Sequence, residues 1–277
     1  MKLSCLPVSI FSDIISGKMS LEDWIKGASD IGFDALDVSV LFFPDRTRRL
    51  LQAAGNALAR NNMTIAMMTT YPDFTNPDKK QRERELLYLS SDIALASELG
   101  IKYLRITAGQ GYPDMDADEA VESVAGYFRR SAEIAGEFGV SLVYENHSKP
   151  GAWDLPDFLF DPKNFLKMVK AMEGTSVRVN FDTANSFGFG GDTVAIFKEV
   201  FSSVETIHVA DMLQAGKLEY SRIGHGGAPV REVLAYAKQN GFDGWICIEE
   251  CSKNGLEGIR DAAMTVRRIW DEAAVDQ

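Results

Sequence analysis

Apolar runs of five to seven residues alternate along the chain with stretches in which apolar side chains recur every three or four positions. These are the patterns of buried strands and of amphipathic helices. Eight runs read as strands: 2–6, 33–39 (FDALDVS), 63–69 (MTIAMMT), 101–107 (IKYLRIT), 140–145 (VSLVYE), 177–182 (VRVNFD), 204–209 (VETIHV) and 245–249 (WICIE). Between them, Val121, Val124, Phe128, Ala132, Ala135 and Phe138 fall on one helical face, as do Ile259, Ala263, Val266 and Trp270. Ser20-Leu21-Glu22-Asp23 predicts a capping box, and Asn76-Pro77 and Asp161-Pro162 mark two further helix starts. Gly32, Gly100, Gly139 and Gly241 each separate a helical pattern from the strand after it, the place where a left-handed residue closes a helix.

Strands alternating with helices, from a strand at residue 2 to a helix near the C-terminus, predict an α/β fold of the (β/α)8 TIM-barrel type. No G-x-G-x-x-G follows the first run, which argues against a doubly wound dinucleotide-binding sheet. No linker or low-complexity stretch divides the chain, so residues 1–277 are expected to form a single domain.

Composition narrows the partners. With 45% hydrophobic and 25% charged residues the chain is neither disordered nor fibrous. A net charge of −11 repels phosphate backbones and anionic lipid, so neither nucleic acid nor a membrane surface is expected as a partner. The apolar start breaks at Pro7, short of a secretory core, and no stretch approaches the ~18 apolar residues of a membrane span. Cys5, Cys247 and Cys251 are odd in number and form no C-x-x-C, which predicts no disulfide framework and a cytoplasmic setting. A homo-oligomer is compatible with all of this.

Active sites of (β/α)8 barrels lie at the C-terminal ends of the strands. There the last four runs end in, or nearly in, Glu145, Asp182, His208 and Glu249, spaced by 37, 26 and 41 residues, each about one βα unit. Three carboxylates gathered at one mouth repel one another unless a cation balances them. Three oxygen donors and one imidazole suit a single divalent ion, Mn²⁺, Mg²⁺ or Co²⁺, with Zn²⁺ also admissible. His147, two residues beyond Glu145, is placed either to reach substrate as an acid or base or to hydrogen-bond its own loop. Arg105, near the end of the fourth run, faces either the mouth or the outside. Arg222 offers a planar fork for a substrate hydroxyl, carboxylate or phosphate. Trp153, on the segment 146–160, is placed for loop packing or for the C–H face of a sugar. Gly224, Gly226 and Gly227 bend the loop after Arg222, without a Walker-type phosphate sequence.

Four motifs carry a family likeness: Y-E-N-H at 144–147, N-F-D-T-A-N at 180–185, H-V-A-D at 208–211 followed by R-I-G-H-G-G, and I-E-E at 248–250. Over nearly its whole length the chain resembles the xylose isomerase-like TIM barrels, a family of sugar isomerases and epimerases that includes ketose 3-epimerases and inositol-pathway dehydratases. The resemblance implies a metal held by Glu145, Asp182, His208 and Glu249, with Arg222 and neighbouring loop residues on a small sugar. It implies proton transfer beside the sugar carbonyl, with Glu145 and Glu249 as the transferring groups. Two positions depart from the family pattern. Many of its epimerases carry histidine where this chain has Asn185, which bonds a hydroxyl but carries no proton, and His225 occupies the middle of the glycine turn. A keto-sugar dehydratase or lyase with His147 as base, and a non-catalytic sugar-binding barrel, are the alternative readings. An endonuclease IV-like enzyme is disfavoured by a total of three histidines and by the acidic charge.

Overall fold

A computed structural model describes residues 1–273. Among them eight parallel strands, β1 (Lys2–Leu6), β2 (Leu36–Ser39), β3 (Ile65–Thr69), β4 (Tyr103–Ile106), β5 (Ser141–Glu145), β6 (Arg178–Asp182), β7 (Val204–Val209) and β8 (Trp245–Glu249), form one sheet in the order β1-β8-β7-β6-β5-β4-β3-β2. Every strand therefore lies beside its sequence neighbours, with helices between them, and the sheet curls into a nearly closed (β/α)8 barrel. At the β1–β2 seam, Asp34 joins the edges: its N–H donates to the Leu3 carbonyl at 2.9 Å and its carboxylate accepts the Leu3 N–H at 2.8 Å.

All eight expected strands are present, most of them starting later than the apolar runs. Phe33, Ala35, Met63 and Ile101 are buried, yet they belong to the turns that lead out of the helices. Hydrophobicity registers the burial but not the missing ladder. Two helix ends differ for equally local reasons. The helix expected from Asn76-Pro77 begins at Lys79, because the Asp78 carboxylate accepts the Lys80 N–H and so provides the cap. Phe138 is 43% exposed, because the helix Ala117–Glu137 stops before it and takes it off the apolar face. The capping box at Ser20 and the N-cap at Asp161 form as expected. Gly32, Gly100, Gly139 and Gly241 all take positive φ, between 68° and 90°.

Because strand side chains alternate in direction, the barrel has two apolar layers. Leu104 and Ile106 of β4, Leu142 and Tyr144 of β5, Val179 and Phe181 of β6 and Ile246 and Ile248 of β8 pack outward beneath the helices in the main core. Met67, Tyr103, Val143 and Trp245 form a separate cluster from the opposite strand faces, inside the barrel. Two residues further along β4, β5 and β8 the same inward parity reaches Arg105, Glu145 and, by way of Cys247, Glu249. The inner layer thus passes from apolar to charged toward the strand ends. Cys5 and Cys247 are buried free thiols and Cys251 is a half-buried one. No helix among the described residues is long and apolar enough to cross a membrane.

Candidate metal centre at the barrel mouth

Glu145, Asp182, His208 and Glu249 come from four adjacent strands, β5 to β8, and each offers a ligand-type atom within 4.8 Å of the others. Asp182 and His208 are direct register partners on β6 and β7. His208 Nδ1 lies 2.9 Å from Glu249 Oε1 and 3.6 Å from Glu145 Oε1. Glu145 and Glu249 occupy the two ends of this arc.

The polar residues that follow these side chains in the sequence motifs build the frame that holds them. Asn146 clamps β5 to β6: its Oδ1 accepts the Asp182 N–H at 2.8 Å and its Nδ2 donates to the Asp182 carbonyl at 3.0 Å. Thr183 does the same from β6 to β7, its hydroxyl donating to the Ala210 carbonyl at 2.8 Å and accepting the Ala210 N–H at 3.2 Å. Glu250 joins β8 to the segment after β1 by accepting the Ser9 hydroxyl, and it also accepts the Ser252 N–H at 2.9 Å. Asp211 accepts the N–H groups of Gly224, Gly226 and Ala228 at 2.9–3.1 Å. The glycine turn is therefore wound around a carboxylate of its own chain, and a Cβ at Gly226 would stand 2.3 Å from Asp211 Oδ1. Donors that a phosphate would need are already committed to Asp211.

Burial makes the cluster electrostatically uneven. Glu145 is fully buried, which alone would raise its pKa, but Arg105 and His208 outweigh this and hold it down to about 2. Arg105 faces inward, fully buried, with its Nε 3.0 Å from Glu145 Oε2, which decides the orientation that the sequence left open. Burial and the charges of Glu145 and Glu249 push Asp182 well above the ordinary carboxylate range. Burial opposes charge on His208, yet Glu249 and its other neighbours drive it well above its usual value. A cluster that retains protons in this way lacks positive charge. Asp182 Oδ2 and both His208 ring nitrogens are buried without a hydrogen-bond partner, an expensive state that a cation relieves for Oδ2 and one nitrogen. The donor set and these unpartnered atoms fit a divalent ion.

The remaining candidates are distributed unevenly around this centre. Asn185 is inside it: its Nδ2 reaches Glu145 Oε1 at 3.4 Å, its N–H donates to Asp182 Oδ1 at 2.7 Å, and its own Oδ1 is unpartnered. His147 is buried beside it, its Nδ1 3.9 Å from Asp157 Oδ2, both atoms lacking a hydrogen bond. Burial pulls the His147 pKa down to about 4, against the opposing pull of Glu145, so the ring is neutral near pH 7. Arg222 stands apart. It is exposed, with its guanidinium 3.8 Å from Asp261 on the outer helix Gly255–Glu272. His225 is exposed on the glycine turn, and Trp153 is half-buried on its loop.

Sequence reasoning passed over three residues that the structure places here. Asp37 of β2 lies fully buried with its Oδ2 3.6 Å from His208 Nε2. Asp157 returns to His147 because its N–H donates to the Ser148 carbonyl at 2.8 Å, closing the loop after β5. Tyr220 ends a hairpin over 211–221, held by Leu213 to Glu219 and Ser221 to Asp211 backbone bonds, and its hydroxyl meets Ser148 Oγ at 3.2 Å across the mouth. Asp37 alone left a signal, as an acid flanked by apolar residues in a strand run.

The fold and the site together define a (β/α)8 barrel with an acid-and-histidine cluster at the C-terminal ends of its strands. Residues 25–269 match the family described as xylose isomerase-like TIM barrel, and the chain belongs to that family. Inosose dehydratase of Bacillus velezensis is 22% identical over 209 residues, covering 68% of this chain and 66% of that protein. A solved structure of IOLI protein with a bound zinc atom covers 100% of both chains at 16% identity and a TM-score of 0.82. The 3-keto-D-glucoside 4-epimerase of E. coli, in its apo form, covers 97% of this chain and 99% of its own at 13% identity and a TM-score of 0.77. At such identities the likeness to the solved structures is one of fold.

Proposed function

We propose that the protein is a divalent-metal-dependent sugar isomerase or epimerase, acting on a small keto or aldo sugar by proton transfer beside the carbonyl. The observation that carries this reading is the arc Glu145, Asp182, His208 and Glu249, with a proton-transferring carboxylate at each end. Glu145, Asp182, His208 and Glu249 would hold one Mn²⁺, Mg²⁺, Co²⁺ or Zn²⁺ ion, which would supply polarisation of the carbonyl and stabilisation of the negative charge on its oxygen. Glu249, with a side chain 13% exposed beside fully buried neighbours, faces the side from which substrate enters. It removes the proton next to the carbonyl. Glu145, at the other end of the arc, is ionised beside Arg105, so it takes a proton from solvent before delivering it to the opposite face, which inverts the carbon, while the proton held by Glu249 passes to solvent. Return to the adjacent carbon gives isomerisation instead. Asn185 presents its unpartnered Oδ1 to a sugar hydroxyl. Arg222 reaches substrate only by leaving Asp261 on the outer helix, an exposed ion pair worth only ~0.2–1 kcal/mol.

One observation favours a second reading within the same chemistry. His147 is a neutral, buried imidazole with a carboxylate, Asp157, behind its Nδ1. A base so placed removes the proton while a β-hydroxyl leaves as water, which is dehydration, the reaction named for the Bacillus velezensis relative.

Incubation with keto and aldo sugars and cyclic keto-polyols in D₂O, followed by proton NMR, separates these readings. Deuterium in a recovered sugar of altered configuration or carbonyl position supports the first. Loss of water to an unsaturated ketone supports the second. Tight sugar binding with neither outcome leaves a non-catalytic sugar-binding barrel. His147→Ala and Arg222→Ala are expected to lower turnover while metal content stays at the wild-type level, by ~10²-fold or more for His147 if it is the base. Metal loss in His147→Ala would make it a ligand.

A further inference from the structure

Asp37 is hard to explain as packing. It projects from β2 into the barrel, 1% exposed, and neither carboxylate oxygen has a hydrogen-bond partner. A carboxylate buried in this way is costly unless something nearby compensates it. The group that faces it is the imidazole of His208, whose Nε2 lies 3.6 Å from Asp37 Oδ2 and is itself unpartnered. The other nitrogen of the same ring, Nδ1, points at Glu249 and Glu145. His208 therefore lies between two acidic surroundings, one ring nitrogen to each.

We propose that Asp37 is the positioning residue of the metal centre, accepting the proton-bearing Nε2 of His208 and so reserving Nδ1, with its lone pair, for the cation. A neutral imidazole carries one proton, and the hydrogen bond made by one nitrogen decides which nitrogen is left to bind metal. With the proton on Nε2, each neighbour has a matching role: a donor faces Asp37, and an acceptor faces the side where Asp182 and Glu249 gather. With the proton on Nδ1, a donor would point into the cation's place and the Asp37 carboxylate would face a lone pair. The negative charge of Asp37 also makes the ring a better donor to the ion.

A second grouping competes for the same ring. Asp37, His208 and Cys247 also bring ligand-type atoms within 4.8 Å of one another, all three buried. That set offers one carboxylate and a buried thiol, whereas the Nδ1 side offers three carboxylates. A hard divalent ion goes to the oxygen-rich side. Asp37 then acts through His208 and touches neither ion nor substrate. The inference rests on the metal-centre part of the proposed function and not on the reaction.

Two measurements test it. Zn²⁺ affinity, measured by competition with a chromophoric chelator, is expected to fall ~10–100-fold in Asp37→Asn, the usual consequence of losing a carboxylate behind a ligating histidine. Melting of the metal-free variant should stay close to wild type, since asparagine keeps the size of the side chain and an acceptor oxygen facing His208 Nε2. A merely structural Asp37 predicts the reverse, a less stable metal-free chain with unchanged Zn²⁺ affinity, and that result overturns the proposal. The second measurement needs no substitution. The chain has only three histidines, so ¹⁵N-histidine labelling gives a simple imidazole spectrum, with the His208 signals assigned by their loss in His208→Gln. In the Zn²⁺-loaded wild type the proton is expected on Nε2. A proton on Nδ1 places the ion on the Asp37–Cys247 side and overturns the assignment. A wild-type chain that binds no Zn²⁺, Mn²⁺ or Co²⁺ overturns the metal-centre reading and this inference together, whereas equal binding by wild type and Asp37→Asn removes the inference alone.

Discussion

Asp182→Asn is expected to raise the melting temperature of the metal-free protein at neutral pH while abolishing metal uptake. Asp182 Oδ1 accepts the N–H groups of Ala184 and Asn185 at 2.8 and 2.7 Å, and an asparagine carbonyl oxygen retains both bonds. What changes is the second oxygen, Oδ2, buried without a partner near Glu145 and Glu249. The folded-state pKa of Asp182 is raised, so between the ordinary carboxylate value and that raised value the native state binds more protons than the unfolded state. Stability then falls as pH rises through this window, which is the sign opposite to that of a salt-bridged carboxylate. Removing the ionisable group removes the loss. For a chain of this size Tm should rise by roughly 2–4 °C for each kcal/mol of repulsion relieved. Divalent metal measured in the purified variant should fall to background. Full metal content in Asp182→Asn would remove Asp182 from the ligand set.

Glu249→Gln should be the most damaging substitution that leaves the fold untouched. Glutamine keeps the size of the side chain and one oxygen donor but loses the basic oxygen. If Glu249 removes the proton beside the carbonyl, turnover falls by the ~10²–10⁴-fold typical of a lost general base, with part of the metal retained. Glu145 makes a poorer probe. Its carboxylate neutralises the fully buried Arg105, so removing it leaves an unpaired buried cation and costs about 3–5 kcal/mol of stability. Turnover of Glu249→Gln within a few-fold of wild type at saturating metal would transfer the basic role to Glu145 or His147.

The number of strands and the four cluster residues were legible for one reason. Strands of a (β/α)8 barrel are buried on both faces, so they read as apolar runs, and a run that ends in an acid or histidine advertises an inward group at the mouth. Arg105 was visible but its direction was not. Apolar side chains occupy both faces of β4, Leu104 and Ile106 outward and Tyr103 inward, so the run carries no alternation from which the direction of Arg105 can be read. Asp37 sits inside a run and not at its end, and what makes it functional is a ring on β7 that becomes its neighbour only when the barrel is built. Asp157 reaches His147 because its backbone bond to Ser148, with those of Pro156 and Phe158 to Gly111 and Gly109, turns the loop back, a closure that no residue type announces. Arg222 shows the limit from the other side. The hairpin over 211–221 sets the direction of the chain that follows, and Arg222 emerges toward Asp261 on the outer helix. The motifs held more than ligands: Asn146, Thr183, Asp211 and Glu250 are the polar side chains that lock the strand ends to one another and to their loops.

Metal-dependent exchange of a carbon-bound proton tests the central claim most directly. Protein stripped with a chelator and protein reloaded with Mn²⁺, Co²⁺, Mg²⁺ or Zn²⁺ are compared for deuterium incorporation from D₂O into a keto sugar, at the carbon beside the carbonyl. The account predicts exchange in the reloaded protein, none in the stripped protein, and none in reloaded Asp182→Asn. Exchange that persists undiminished after the metal is removed, or a metal-loaded protein that binds a sugar without exchanging any of its protons, would contradict it.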